Sequence, residues 1–391
     1  MIFKDSVLKR HTIEKQYETI ADIKKIVEDC YALGKVVGIK RITIGETNLS
    51  YSVTTEKDGA RIKYFAQLFN AGKSLTDVKH EMSLREYFMQ NTKTSLKCAE
   101  YVADKDGGYA VICDCPELGR PRYFCMFDFM AGSLFGDRDV WAFGRITYRM
   151  IDAYAKGLAW YHVGAFGYED PPECKAYDLD YSEELVEYKR VFTEEFQKRR
   201  YNEDLAEYYE YFAGYHPRIM ELLERYTDVY EKNKGELQMC ICHMDPGANN
   251  YMFDENLKPI AVCDLDWAQA HLRLFDITWA ILESFCAFDP ENITTDLDVD
   301  KCAAFIDAYD KAIEEAEGSK LCKLTVKERE LIPEIFQLVS IRFGFYNPWL
   351  LILTDNPTAT NEYCQFWGNW SKTAMEFVEE HMEEFKQKLM K

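Results

Sequence analysis

Between residues 36 and 129 the chain runs in short β-rich stretches that alternate apolar and polar positions, and after Ala131-Gly132 its apolar residues recur with helical spacing. A change of period from about 2 to about 3.6 residues along one chain calls for two differently built halves, since a sheet and a set of helices bury different faces. In the first half the pattern predicts a helix over 12–33, carrying Ile20, Ile23, Ile26, Val27 and Tyr31 and ending near Gly34. Strands follow over 36–44, 50–55 and 61–69, separated by the turn Gly45-Glu46-Thr47-Asn48 and the hairpin signal Asp58-Gly59. A helix over 76–89 and strands over 101–103, 109–113 and 122–129 complete it.

The second half reads as helix over 140–162, a tyrosine- and charge-rich segment to about 230, and largely helix after 277. Short strands interrupt it at 237–242, 251–254 and 260–263. The expected architecture is α+β: a β-rich lobe over 1–130 with a leading helix, and a mainly helical lobe over 131–391. No internal repeat is present. Motifs on the strand island of 237–266 should sit at the mouth of the cleft between lobes, where ligand sites concentrate.

Size and charge agree with this division. A chain of 391 residues exceeds the usual size of one core. Its 67 acidic and 47 basic side chains leave a charge of −20, which repels phosphate backbones and anionic lipid surfaces, so neither nucleic acid nor membrane is an expected partner. No basic segment followed by an apolar stretch opens the sequence, and no run approaches the ~20 apolar residues of a membrane span. Together with 13 scattered cysteines, an odd number, this favours a reducing, cytoplasmic setting with buried thiols. Cys240, Cys242 and His243 suggest a zinc cluster, but C-x-C in an apolar run places both thiols on one strand face, and zinc ligands usually come as C-x2-4-C.

The chemistry is concentrated in His243-Met244-Asp245-Pro246-Gly247-Ala248-Asn249-Asn250, which fits H-x-D-x-x-x-x-N. In that pattern the aspartate orients an attacking hydroxyl and the asparagine binds a metal ion. Downstream, two short strands end on Asp264-Leu265-Asp266-Trp267, which supplies further carboxylates. Phosphoryl transfer needs such a set, because a polyphosphate brings negative charges that Mg²⁺ held by Asn and Asp oxygens neutralises and aligns. An Asp-Pro-Gly sequence alone is an ordinary turn signal, so the reading of Asp245 rests on its company.

The stretch 242–277 resembles the Brenner-type motif region of the aminoglycoside phosphotransferase and choline kinase superfamily, with Asp264 at a strand end and Asp276, in Phe275-Asp276-Ile277, twelve residues on. Tyr31-Ala32-Leu33-Gly34, Gly45-Glu46-Thr47-Asn48-Leu49-Ser50-Tyr51 and Val53-Thr54-Thr55 are similar to the opening of homoserine kinases of that fold and of N-acetylhexosamine kinases. Phe127-Asp128-Phe129-Met130-Ala131-Gly132 resembles the hinge. The resemblance implies a two-lobed protein-kinase-like fold and an ATP- and Mg²⁺-dependent kinase acting on the hydroxyl of a small metabolite. An amino sugar or N-acetylhexosamine comes first as acceptor, then homoserine, choline or an aminoglycoside.

On this resemblance Asp245 is catalytic; Asn250, Asp264 and the neighbouring Asp266 hold metal; and Gly45, Asn48, Ser50, Gln67, Asp128 and Met130 meet the nucleotide. Asp245 and Trp267 meet the acceptor, and His243 buttresses the loop. The third strand of such lobes carries a phosphate-binding lysine, paired with a helix glutamate that Glu81 would supply; here Gln67 stands at that position, as in N-acetylhexosamine kinases, and Lys63 lies four residues earlier on the same face. Gly72-Lys73-Ser74 has the end of a P-loop but lacks its first glycine, so that motif fails. Trp160, Tyr168, Phe345 and Trp349 are expected in the core, and the runs Glu183-Glu184 and Glu194-Glu195 on solvated helix faces. A monomer or homodimer is expected. The competing class is a nucleotide-binding regulator, a pseudokinase, in which the missing lysine marks lost turnover.

Overall fold

The computed structural model describes residues 3–43, 48–134, 146–174, 180–201, 203–354 and 356–390. Six strands, β1 (Lys9–Thr12), β2 (Lys35–Ile42), β3 (Leu49–Lys57), β4 (Ala60–Leu68), β5 (Val111–Cys115) and β6 (Arg120–Asp128), form one sheet in the order β1-β5-β6-β4-β3-β2. The β3–β4 hairpin closes where Asp58 and Gly59 both take positive φ, the conformation that tight hairpins need. Alternation along β4 sends Tyr64, Ala66 and Leu68 into a core with Ile23, Ile26 and Val27 of helix α1 (Ile20–Cys30). Phe65 points the other way, beside the cluster built on Val78 and Met82 of helix α2 (Leu75–Asn91) and on Phe127. Gln67 shares the Phe65 face by the period of the strand.

The expected helix over 12–33 is shorter and starts later. Residues 9–12 pair in parallel with β5, Lys9 opposite Val111, and Arg10 forks onto Asp114, so this stretch is drawn into the sheet edge. The residues 101–103 contribute one bridge, Tyr101 to Phe127, rather than a strand.

The C-terminal part is mainly helical: α3 (Tyr148–Ala165), α4 (Tyr181–Arg190), α5 (Ala206–Asn233), α6 (Arg273–Phe285), α7 (Val299–Glu315), α8 (Val326–Ile341) and α9 (Asn361–Glu380) are its principal helices. The beginning of the helix expected over 140–162 lies outside the described residues. Trp349 and Phe345 are fully buried and Tyr168 nearly so, as core aromatics. A hairpin of β12 (Cys286–Asp289) and β13 (Thr294–Leu297) breaks the helical tail expected after 277; Asp289 closes its turn by accepting from the Glu291 and Asn292 amides. Glu184 departs from the expected solvated face. It is buried, pairs with Arg342, accepts from Tyr188 and faces His271, so three partners replace water. Among the described residues no helix is long and apolar enough to cross a membrane.

The strand island lies between these parts. β8 (Met239–Cys242) pairs with β11 (Gln269–Leu272), while β9 (Tyr251–Phe253) pairs with β10 (Pro259–Val262) and with the short β7 (Ser133–Leu134). Gly132 permits this approach, since a Cβ there would stand 2.9 Å from Ile260 Cδ1 and 3.2 Å from Met252 Cβ. Lys97, in the connection after α2, donates to Ile260 O and accepts from Val262 N, which fixes the end of β10 against the N-terminal part. Asp264 follows that strand end after one residue, Cys263.

Candidate active site

The loop after β8 is shaped from below by a buried carboxylate. Asp276, in the first turn of α6, accepts from the His243 amide at 2.6 Å and from the Met244 amide at 3.0 Å, and its Oδ2 lies 3.0 Å from His162 Nε2 of α3. Two charge-assisted backbone bonds hold Met244, the residue before Asp245, at φ +66°, a conformation costly for a side chain of its size. Above the loop, His243 Nε2 meets Cys263 O at 2.8 Å and Tyr154 donates to Pro246 O at 2.5 Å.

Asn250 donates Nδ2 to Asp245 O at 2.8 Å and toward Asp245 Oδ2 at 3.2 Å, which leaves its Oδ1 as an oxygen donor for a cation. The Cys263 amide bonds Asn250 O, so the loop and the end of β10 are joined at the residue before Asp264. Asp264 has φ +56°, and its Oδ1 is buried without a hydrogen-bond partner. Desolvation, then the charges of Asp266 and Asp245, push Asp264 well above the usual carboxylate range. Asp245 is raised as well, by desolvation and by Asp266 and Asp276, against the pull of His243 and Asn250. Two carboxyl groups raised by burial and by their acidic neighbours, with Asp266 and the Asn250 amide oxygen beside them, form an all-oxygen donor set of the kind a hard divalent cation relieves.

Asp266 faces the other lobe. Asn48 donates Nδ2 to Asp266 Oδ2 at 3.0 Å and accepts from the Asn70 amide at 2.9 Å, so the end of the β2–β3 connection, the turn after β4 and the carboxylate form one chain of bonds. Gly45 lies outside the described residues. Ser50 sits opposite Gln67 across β3 and β4. Asp128 ends β6, its amide bonded to Glu100 O, with Met130 following at the rim.

Residues 38–314 match the phosphotransferase enzyme family, a span of more than half the chain that contains Asn48, Gln67 and the whole strand island. The chain belongs to this family. It is a small-molecule kinase, transferring phosphate to a hydroxyl group. Among solved structures, a microcompartment-associated aminopropanol kinase superposes with a TM-score of 0.62 at 13% identity, covering 94% of this chain and 99% of that one. An amicoumacin kinase, solved with AMP-PNP, Ca²⁺ and amicoumacin, gives 0.60 at 14% identity over 93% and 94%. An ethanolamine kinase of Plasmodium vivax gives 0.57 at 14% over 89% and 86%. At such identities the likeness carries the protein-kinase-like fold. No curated protein sequence matches the chain in a sequence comparison.

Within the phosphotransferase framework several expectations shift. Glu81, the expected partner of a strand lysine, is gripped by Arg85 of its own helix at 2.6 and 2.9 Å, because i and i+4 place a guanidinium beside it when the strand offers only an amide. Gln67 is 5% exposed and lies on the face toward α2. Lys63 is exposed, its ammonium 3.8 Å from the ring centroid of Phe129. Since a neutral amide offers one hydrogen bond of about 1 kcal/mol, Gln67→Ala should lower kcat/KM by roughly tenfold or less in steady-state kinetics, with Lys63→Ala nearly silent.

The cysteine cluster also differs in membership. Cys240 and Cys242 do share a strand face, their sulfurs 3.6 Å apart, but the imidazole that joins them within 4.8 Å is His162 and not His243. Both His162 nitrogens already meet hydrogen-bond partners, Tyr309 OH and Asp276 Oδ2, so the group serves as a buttress beneath the loop.

Two residues near the carboxylates carry no sequence signal of the usual kind. Glu283, two turns along α6 from Asp276, reaches the loop: a Cβ on Gly247 would lie 2.7 Å from Glu283 Oε2 and 2.5 Å from Asn249 Oδ1. Lys73 is buried between Asp266 and Trp267. The capping box of Ser74 and Asp77, a legible helix start, places Lys73 just before α2 and was the available clue to its position.

Proposed function

We propose that the chain transfers the γ-phosphoryl group of ATP to a hydroxyl of an amine-bearing small metabolite, an amino sugar ahead of an amino alcohol. The observation that carries the acceptor class is Glu283, 6% exposed and next to the loop of Asp245. Desolvation and the nearby Asp245 push Glu283 well above the usual carboxylate range. A carboxyl group whose ionisation is opposed by burial and a like charge is relieved by a cation, and an ammonium beside the reacting hydroxyl supplies one. The aminopropanol and ethanolamine kinases that share the fold are named for alcohols of this type. An N-acetylhexosamine, whose nitrogen is neutral, ranks behind.

In this reading Asp245 accepts the proton of the acceptor hydroxyl as its oxygen bonds the γ-phosphorus and the bond to the β-phosphate oxygen breaks, releasing ADP. Asn250 and Asp264, with Asp266 assisting, would hold Mg²⁺, which neutralises and aligns the polyphosphate when bound. Asn48, Ser50 and Gln67 lie toward the phosphates, and the backbone near Asp128 and Met130 reads adenine. Trp267, 38% exposed, borders the acceptor at the mouth.

The test is ADP release with a panel of free amino sugars, their N-acetyl derivatives, amino alcohols, homoserine and aminoglycosides. A free amine should be preferred over its acetylated form, and Glu283→Gln should raise KM for the amine about tenfold with a much smaller change in kcat. Equal use of both forms, or a KM indifferent to Glu283→Gln, would remove the ammonium from the proposal. Nucleotide binding without turnover on any acceptor would favour the regulator.

A further inference from the structure

Strand β4 carries Gln67 where the family resemblance leads one to expect a lysine, and Lys63, on the same strand face, is exposed and set over Phe129. A different ammonium is already inside. Lys73, in the turn after β4, is 6% exposed, donates to Asp266 O, and has its Nζ 3.6 Å from Asp266 Oδ2 and 3.9 Å from the ring centroid of Trp267. A buried lysine costs several kcal/mol unless paired and hydrogen-bonded, and here a carboxylate, a carbonyl and an aromatic face provide for it.

The backbone under Lys73 is fixed from both sides. Its amide donates to Asn70 O at 3.2 Å, and the Gly72 amide donates to Asn70 Oδ1 at 2.8 Å, which closes the turn. Ser74 then caps α2, its amide donating to Asp77 Oδ2 at 2.6 Å. From the front, Asn48 bonds both Asn70 and Asp266. The ammonium is therefore held beside the carboxylate of Asp266 and, through the Asn48 bonds, next to the start of β3.

We propose that Lys73 supplies to the β- and γ-phosphates of the nucleotide the positive charge that strand β4 lacks, with Asp266 and Trp267 as its positioning residues. A cation at this place reaches the phosphates from the turn rather than from the strand, and it explains how a chain with glutamine at position 67 keeps a complete set of carboxylates. With Lys73 at Asp266 and a metal ion that Asn250 and Asp264 would hold, two positive centres would be available to balance the charge of the transferred group, as phosphoryl transfer requires.

The proposal rests on the use of ATP and not on the acceptor, so it is tested by titration calorimetry with Mg·ATP and with adenosine, in the absence of any acceptor. Lys73→Ala should weaken Mg·ATP about tenfold or more and change adenosine less than about twofold; Lys73→Arg should retain most of the affinity and Lys63→Ala all of it. Lys73→Gln, which keeps the stem and a donor, serves if the alanine variant does not fold, and should show the same selective loss. Adding Gln67→Lys to Lys73→Ala should recover part of the Mg·ATP affinity. An equal loss of adenosine and Mg·ATP would make Lys73 a clasp between lobes and overturn the proposal, as would unchanged binding of both. A wild-type protein that binds adenosine but gains nothing from the phosphates would overturn it too, while leaving the amine selectivity of Glu283 to be judged by its own kinetics.

Discussion

Asp245→Asn is expected to lower kcat by about a hundredfold or more, the scale of losing a positioned general base, while folding and Mg·ATP affinity stay near the parent values. The substitution is close to isosteric. Asn250 keeps its bond to the backbone oxygen of residue 245 and finds an amide oxygen in place of Oδ2, so the loop geometry held by Asp276 has no reason to change. Electrostatics points the same way, since removing one of three crowded carboxylates relieves the repulsion that raises Asp264. The sign of the pH effect follows. Asp245, Asp264 and Glu283 all bind protons more tightly folded than unfolded, so the metal-free protein loses stability as pH rises from about 4 through their raised pKa values. The variant should lose less over that window. A folded variant with parental kcat, measured by ADP release alongside a melting curve, would end the assignment of Asp245.

The central hairpins were legible because each local signal agreed with the pairing. Strands expected over 36–44, 50–55 and 61–69 occur as Lys35–Ile42, Leu49–Lys57 and Ala60–Leu68, with Asp58-Gly59 at the turn. Strand β1 was not legible, since four residues reading Lys-Arg-His-Thr carry no apolar alternation and gain their strand character from a partner about a hundred positions away. The same holds for the hairpin after α6, whose strands have four residues each and whose turn depends on Asp289. Local pattern reports local structure, and these elements are made by tertiary pairing.

The site divides along the same line. Asp245, Asn250, Asp264 and Asp266 lie within one short stretch whose spacing carries their chemistry, and the fold brings them to one place. Lys73 and Glu283 lie far from that stretch in sequence or on the buried side of a helix, and each enters through packing: Lys73 by the turn that Asn70 closes, Glu283 by the pitch of α6. The strand position by itself leads only to Gln67, whereas the burial of Lys73 is set by tertiary contacts of the turn with Asn70, Asp266 and Trp267.

Asp264→Ala is expected to abolish the metal-dependent part of nucleotide stabilisation. Asp264 has a buried Oδ1 without a hydrogen-bond partner, a left-handed backbone that a surrounding network must sustain, and a carboxyl pushed well above its usual range by desolvation and then by Asp266 and Asp245. Each of these is a cost in the metal-free protein that a divalent cation would offset, so the alanine variant should melt at or above the parental temperature when neither metal nor nucleotide is present. With ATP the order should reverse. The parent should gain further stability when Mg²⁺ is added to ATP, by mass action on the folded state, whereas the variant should show the same melting temperature with ATP alone and with ATP and Mg²⁺. Asp266→Ala separates the neighbouring ligand: it should weaken the Mg²⁺ increment without removing it, and should release Lys73 from its pair. If Asp264→Ala kept the full Mg²⁺ increment while Asp266→Ala lost it, the metal would sit on Asp266, and Lys73 would then compete with the ion for the same carboxylate.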